Sequence, residues 1–218
     1  MDTTPRLATF VPLRDWCAGA ESELGLLVGD RIVRPDGLFS LAAIEPKVSE
    51  PIRRVEMALG SEPYLDAFRE ALAWLANSDD TTLLQVSLRR DEVKLLAPVP
   101  KPAKVFALAG NYMEHIHEST QKNLQSIISK ADSATPRVFM KPPSVTVCGD
   151  GDPILLGSSS RSPDYEAEMA LIIGRAGRFL DPDEAAGHVA AVTCFNDISE
   201  RELKIWERPE TREWDKFF

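Results

Sequence analysis

The chain has 218 residues, of which 44% are hydrophobic and 27% are charged, and its formal net charge is −9. This length and composition are ordinary for a globular protein with a proper core, in one large domain or two small ones. The acidic balance argues against nucleic acid or an anionic membrane as the main partner, because both select a basic surface.

Other features of the composition point to a cytoplasmic protein. The N-terminus, Met1-Asp2-Thr3-Thr4-Pro5, has neither the basic nor the apolar region of a secretory signal. No apolar run approaches the roughly 20 residues that a membrane span needs. The cysteines are few, widely spaced and without a Cys-x-x-Cys pair, which predicts buried thiols in a reducing compartment: Cys17, Cys148 and Cys194.

The first part of the chain predicts a small α+β domain over residues 1–100. Leu24–Val28 and Arg31–Val33 flank Gly29-Asp30, a two-residue turn that is typical of a β-hairpin. Residues 62–76 predict a helix, because their apolar side chains recur at helical spacing: Leu65, Phe68, Leu72 and Leu75.

Two more strands are expected before the domain ends. Leu84, Val86 and Leu88 alternate with polar residues, as in a half-buried strand, and a strand near Val93–Leu96 is expected to pair with it. Pro98–Pro102 then predicts a stiff, extended connector, and we place the domain boundary there.

The second domain is predicted over residues 104–218. It opens with a buried strand at Lys104–Ala109, followed by a polar helix or lid over roughly Tyr112–Lys130. A short strand follows at Val138–Met140, and Pro182 with the acids after it predicts a helix start. A further buried strand is predicted over Ala190–Phe195.

Two glutamates one residue apart, Glu166 and Glu168, lie in a predicted strand that runs from Asp164 to Gly174. Side chains i and i+2 of a strand point to the same face, so these carboxylates would repel each other unless a cation or a proton separates them. Asp197, at the end of the next buried strand, is the best third ligand. Three carboxylates favour Mg²⁺, Mn²⁺ or Ca²⁺ over Zn²⁺. The alternative is that they are solvated acids on an edge strand.

A second group of residues has the pattern of a general base. His115 and Glu118 stand at i and i+3, which puts them on one face of a helix, where the carboxylate orients the imidazole and raises its basicity. The alternative is a solvated polar helix with incidental histidines, and His117 should point elsewhere. Lys141 and Arg201 are each either an anion contact or a charge at a strand end.

Five segments together, in this order, resemble the fumarylacetoacetate hydrolase family over roughly residues 104 to 205. They are Val105–Glu118, with the pattern Val-Phe-Ala-Leu-Ala-Gly-Asn-Tyr-x-x-His-x-x-Glu, then Val138–Pro142, Gly151–Ile154, Asp164–Gly174 and Asn196–Arg201. The resemblance implies a mixed β-sheet roll with flanking helices, preceded by a smaller α+β domain. It also implies a homodimer.

The resemblance also implies the roles of individual residues. Glu166, Glu168 and Asp197 match the family's metal ligands, usually for Mg²⁺ or Mn²⁺. His115 and Glu118 match its lid histidine and glutamate. The substrate contacts that we expect are Tyr112, Lys141 and Arg201.

The function that the resemblance implies is a metal-dependent hydrolase that cleaves a C–C bond in a small 2-oxo or β-diketo acid, such as an acylpyruvate or fumarylacetoacetate. His115 would activate the water molecule. Decarboxylases, hydratases and isomerases of related oxo-acids share the scaffold and are the alternative. An alternative of another class is a non-catalytic, truncated homologue.

One departure from the family concerns its catalytic lysine, which lies in a Lys-x-Phe context, usually after a glycine. Lys216-Phe217-Phe218 fits Lys-x-Phe, but no glycine precedes it. The resemblance therefore implies a lysine beyond Phe218 and a chain that is a fragment, with an incomplete roll and exposed strand edges.

Overall fold

A computed structural model of the chain describes residues 6–17, 19–112 and 135–202. Helices and antiparallel strands are mixed along the chain, in agreement with the predicted α+β class. The described residues form two compact units. One unit contains the residues up to 100 together with 148–156 and 165–197, and the other contains residues of 101–147, 157–164 and 198–202. The predicted domain boundary between residues 100 and 104 stays a prediction.

A five-stranded antiparallel sheet forms the base of the first unit. Its order is β4-β3-β2-β1-β5, and Leu27 of β2 pairs with Ile32 of β3, which confirms the predicted hairpin. The strands are β1 (Arg6–Pro12), β2 (Glu23–Val28), β3 (Arg31–Val33), β4 (Ser87–Arg89) and β5 (Val93–Leu95).

Helices pack on this sheet around an aromatic cluster. Phe39 lies edge-on to Tyr64 and to Phe68, with ring centroids 5.4 and 5.9 Å apart. The long helix confirms the prediction for residues 62–76, and its inner face is formed mainly by Tyr64, Ala67, Phe68 and Ala71. The helices are α1 (Pro35–Ala42), α2 (Val55–Leu59), α3 (Glu62–Leu75) and α4 (Asp80–Gln85).

The prediction of a strand over residues 84–88 is wrong for residues 84 and 85, which belong to helix α4. The Asp79 carboxylate accepts a hydrogen bond from the Thr82 amide (2.9 Å) and caps this helix, so the local capping preference overrides the alternating pattern. Leu84 is 55% exposed on the helix. The predicted pairing is also wrong, since β4 pairs with β3 and β5 pairs with β1.

Among the described residues, the elements of the second unit are short. Strands β6 (Val105–Leu108) and β7 (Val138–Lys141) pair antiparallel, as do β8 (Pro163–Asp164) and β11 (Ser199–Glu200). A short helix, α5 (Pro143–Thr146), follows β7. The prediction that β6 is buried holds only for Ala107, and Phe106 is 63% exposed because successive strand side chains alternate between faces.

The antiparallel pair β9 (Ala167–Ile173) and β10 (Val189–Asn196) belongs to the first unit. The connection between them carries α6 (Pro182–Ala186), whose N-cap is Asp181. One face of the pair is half-buried and the other is exposed, so the prediction of a buried strand at Ala190–Phe195 is wrong. The exposed side chains include Met169, Leu171 and Val192.

Two expectations from composition have different outcomes. The three cysteines are free, but all are exposed, so their predicted burial is wrong. Cys194, for example, lies on the exposed side of β10. Within the described ranges, no helix combines the length and the apolar character needed to cross a membrane.

Gly174, at the end of β9, allows a close approach to helix α2. A Cβ atom added at Gly174 would collide with the Cβ of Ala190 and would lie 3.1 Å from the carbonyl oxygen of Leu59. The β9–β10 pair therefore sits against the end of α2, and its opposite end carries Glu168 and Asn196.

We predict that Gly174→Ala lowers the free energy of unfolding by about 1 to 3 kcal/mol, because the added methyl group overpacks this contact. Gly187→Ala is the matched control, since its Cβ would meet no atom closer than 3.4 Å. Chemical denaturation of the two variants checks the prediction, and equal stabilities would contradict it.

Candidate metal centre

The register of β9 and β10 brings three acidic residues to one end of the pair. Glu168 lies opposite Phe195, and Ala167 lies opposite Asn196. One step further, the Asp197 amide donates a hydrogen bond to the Glu166 carbonyl oxygen (2.9 Å). Glu166 and Glu168 are two positions apart and share a face, so the pairing places Asp197 beside both.

The side chains of these residues form a compact cluster. A carboxylate oxygen from each of Glu166, Glu168 and Asp197 lies within 4.8 Å of the other two. Asp197 is fully buried, and both glutamates are half-buried. The structure thus brings together the three residues that the sequence analysis predicts to be metal ligands.

The chemistry of this cluster fits a hard divalent cation. Two negative charges 4.8 Å apart repel by roughly 3.5 kcal/mol at the effective dielectric constant of about 20 that suits sites near a protein surface. Three ionised carboxylates therefore destabilise one another unless a cation or protons compensate them. Oxygen-only donors suit Mg²⁺, Mn²⁺ or Ca²⁺, as the sequence predicted.

Arg201 makes an ion pair in the second unit. Its Nε and Nη2 atoms lie 3.0 and 2.9 Å from one carboxylate oxygen of Asp164, and its amide donates to the Ser162 carbonyl oxygen (3.0 Å). The sequence allowed two interpretations of Arg201, an anion contact or a charge at a strand end. The structure shows that it pairs with Asp164, and its role as a substrate contact stays a prediction.

Glu200 is a buried carboxylate that the sequence did not nominate. It accepts hydrogen bonds from the Ser160 hydroxyl and from the amides of Arg161, Ser162 and Glu202. Most of its partners lie 38 to 40 residues earlier in the chain, so no local sequence signal could have found it.

The Ser160 hydroxyl, followed by the backbone amides, lowers the pKa of Glu200. A lowered pKa means that the ionised form is favoured in the folded chain. The resulting stabilisation is complete above the ordinary pKa of glutamate, and it is lost as the pH falls through the lowered value.

The remaining nominated residues lie in the second unit or outside the described residues. Lys141 is buried at the end of β7, and its Nζ atom donates to the Ile198 carbonyl oxygen (3.2 Å). Tyr112 is 42% exposed. His115 and Glu118 lie outside the described residues. The substrate-contact roles of Lys141 and Tyr112 stay predictions.

Comparison with known proteins identifies the family of the chain. The family model described as fumarylacetoacetate (FAA) hydrolase C-terminal matches residues 104–217. Among named relatives, mitochondrial oxaloacetate tautomerase FAHD2A of Bos taurus is 35% identical over 78% of this chain and 47% of its own length. Oxaloacetate tautomerase YisK of Bacillus subtilis (strain 168) is 31% identical over 83% of this chain and 58% of its own length. The chain thus spans about half the length of these relatives.

A solved structure with the same fold is maleylpyruvate hydrolase of Sphingobium sp. SYK-6, in complex with manganese(II) and pyruvate. Its TM-score is 0.57 at 21% identity, over 98% of this chain and 62% of the hydrolase. This similarity supports the predicted roll fold.

The carboxylate cluster predicts that Glu168→Gln affects the stability of the chain in opposite directions with and without a bound cation. Saturating Mn²⁺, at about 100 times its Kd, should stabilise the wild-type chain by about 2.7 kcal/mol. Glu168→Gln removes one charge, so the metal-free variant should be at least as stable as the wild type, but it should lose most of the stabilisation by Mn²⁺.

Thermal unfolding of each variant with and without Mn²⁺ measures this effect. Asp183→Asn, which removes an exposed acid from α6, is the matched control and should keep the full response. If Glu168→Gln responded to Mn²⁺ like the wild type, the cluster would not be the binding site.

Proposed function

The chain belongs to the fumarylacetoacetate hydrolase family, and we propose that it is a divalent-metal-dependent enzyme that acts on small 2-oxo acids. The observation that carries this proposal is the cluster of Glu166, Glu168 and Asp197, with carboxylate oxygens within 4.8 Å of one another. The named relatives are enzymes, two of them oxaloacetate tautomerases and one a maleylpyruvate hydrolase.

Charge explains why the substrate and the cation belong together at this site. The three carboxylates alone would repel an anionic substrate, so an oxo-acid can approach them only when a cation is present. We propose that Glu166, Glu168 and Asp197 hold Mg²⁺ or Mn²⁺. A divalent cation held there supplies Lewis-acid polarisation of the carbonyl and carboxylate oxygens of the substrate.

His115 and Glu118 supply the proton-transfer group of this proposal. The Glu118 carboxylate would orient the His115 ring and raise its basicity, so that one ring nitrogen accepts a proton. In tautomerisation, His115 takes a proton from the carbon next to the carbonyl, and the carbonyl oxygen takes up a proton from solvent. In hydrolysis, His115 takes a proton from water, and the water oxygen bonds to the distal carbonyl carbon. The C–C bond then breaks, the acyl part leaves as a carboxylic acid, and the enolate part takes up the proton that His115 holds.

Keto–enol tautomerisation is the first reaction that we propose, and C–C hydrolysis is the second. The relatives with 30% identity or more that we compared are named oxaloacetate tautomerases, which favours tautomerisation. The i and i+3 spacing of His115 and Glu118 supports hydrolysis as well, because a histidine oriented by a carboxylate can activate water. The predicted homodimer and cytoplasmic location stay predictions.

We predict that the chain with Mn²⁺ or Mg²⁺ interconverts enol and keto oxaloacetate, measured by the ultraviolet absorbance of the enol. His115→Gln should lower kcat on the order of 100-fold, the usual contribution of a general base, with Mn²⁺ affinity unchanged. His117→Gln is the matched control, because its side chain is predicted to point elsewhere, and it should keep the wild-type kcat.

An acylpyruvate assayed beside oxaloacetate separates the two reactions. Release of pyruvate from the acylpyruvate, with slow tautomerisation of oxaloacetate, would make hydrolysis the main reaction. Tight Mn²⁺ binding with turnover of neither substrate would instead identify a non-catalytic homologue and would overturn the proposed enzymatic function.

A further inference from the structure

We propose that Glu200 is a positioning residue for the candidate metal centre. Its buried carboxylate joins the chain segment that leads into Glu166 to the segment that leaves Asp197. The inference rests on the proposed function, because a positioning role has meaning only if the three carboxylates bind a cation.

The contacts of Glu200 concentrate on one short segment. Glu200 is 7% exposed. Its Oε1 atom accepts hydrogen bonds from the amides of Ser162 (2.7 Å) and Glu202 (3.2 Å). Its Oε2 atom accepts from the Ser160 hydroxyl and from the Arg161 amide (3.1 Å). A single carboxylate therefore ties residues 160–162 to β11 through hydrogen bonds to a charged acceptor, which are stronger than neutral ones.

The backbone pairing at this place is short. Strands β8 and β11 are two residues long each, and Glu200 lies opposite Pro163. Proline has no amide hydrogen, so it cannot donate to the ladder. The Glu200 carboxylate instead accepts hydrogen bonds from residues 160–162, which come directly before this proline.

A second side-chain link between these two segments is more exposed. The carboxyl side of the Asp164–Arg201 ion pair is 45% exposed and the guanidinium side is 34% exposed. Ion pairs at such sites contribute little to stability, because water and salt screen them. The hydrogen bonds of Glu200 are consequently a better shielded connection, which joins residues 160–162 to β11.

The two segments that Glu200 joins continue directly into the ligands. Only Asp164 and Tyr165 separate Pro163 from Glu166, and only Ile198 and Ser199 separate Asp197 from Glu200. Metal ligands must be held within roughly 0.5 Å of their productive positions. The hydrogen bond from the Asp197 amide to the Glu166 carbonyl oxygen ends the pairing of β9 with β10, so release of the flanking segments would loosen the pairing at its ligand end, and metal affinity would fall.

The test measures Mn²⁺ binding to the full chain by titration, together with the electron paramagnetic resonance spectrum of bound Mn²⁺. Glu200→Gln should weaken Mn²⁺ binding on the order of 10-fold, the usual effect of removing a residue that orients metal ligands, and should alter the spectrum. Glu202→Gln is the matched control. It removes a neighbouring exposed charge and keeps the backbone amide that donates a hydrogen bond to Glu200.

Ser160→Ala removes a single donor and keeps the test decisive if Glu200→Gln does not fold. It should weaken Mn²⁺ binding by less than the roughly 10-fold expected for Glu200→Gln, because Glu200 keeps its three amide donors.

Measurements are made at a temperature at which circular dichroism shows each variant to be folded. If the wild type binds Mn²⁺ and the folded variants bind it as tightly with the same spectrum, Glu200 serves stability only and the inference is overturned. If the wild type itself does not bind Mn²⁺, the proposed function fails, and the inference fails with it.

Discussion

The pairing register of β9 and β10 is the constraint on which the candidate site depends. The hydrogen bond from the Asp197 amide to the Glu166 carbonyl oxygen continues this register past the ends of both strands. Because side chains alternate along a strand, a slip of one residue would turn Glu168 to the opposite face and separate it from Asp197. The carboxylate cluster therefore depends on the backbone pairing first and on side-chain identity second.

The same pairing produces an electrostatic conflict, and that conflict gives the site its chemistry. Ionised carboxylates at this spacing repel one another, so a divalent cation at the cluster would relieve their repulsion. Because the local dielectric constant around a buried group is low, burial of Asp197 strengthens both its repulsion by the glutamates and its attraction to a cation. A substrate that offers carboxylate and carbonyl oxygens side by side is the natural complement of a cation held by carboxylates alone.

The sequence predicted those features that rest on local patterns and missed those that rest on distant contacts. Glu166 and Glu168 could be found because strand periodicity alone puts them on one face, and Asp197 because it ends the next strand. The two-residue turn at Gly29-Asp30 likewise predicts the β2–β3 hairpin. By contrast, the partners of β5 depend on which strand edges meet in space, and Asp79 converts an alternating segment into a helix through one cap. Glu200 belongs to the same class, since most of its donors lie 38 to 40 residues away.

The alternation of β9 also explains why this strand departs from the usual pattern of a half-buried strand. Its half-buried positions include Glu168, while Met169 and Leu171 are 61% and 52% exposed. A strand chosen for stability alone would turn its apolar residues inward. Rotating the strand to bury them would carry Glu168 away from Asp197, so the strand cannot satisfy burial and the carboxylate cluster at once. Conflicts of this kind concentrate at functional sites. The half-buried Glu168 on β9 is thus the point at which burial of the apolar side chains of this strand and formation of the carboxylate cluster compete.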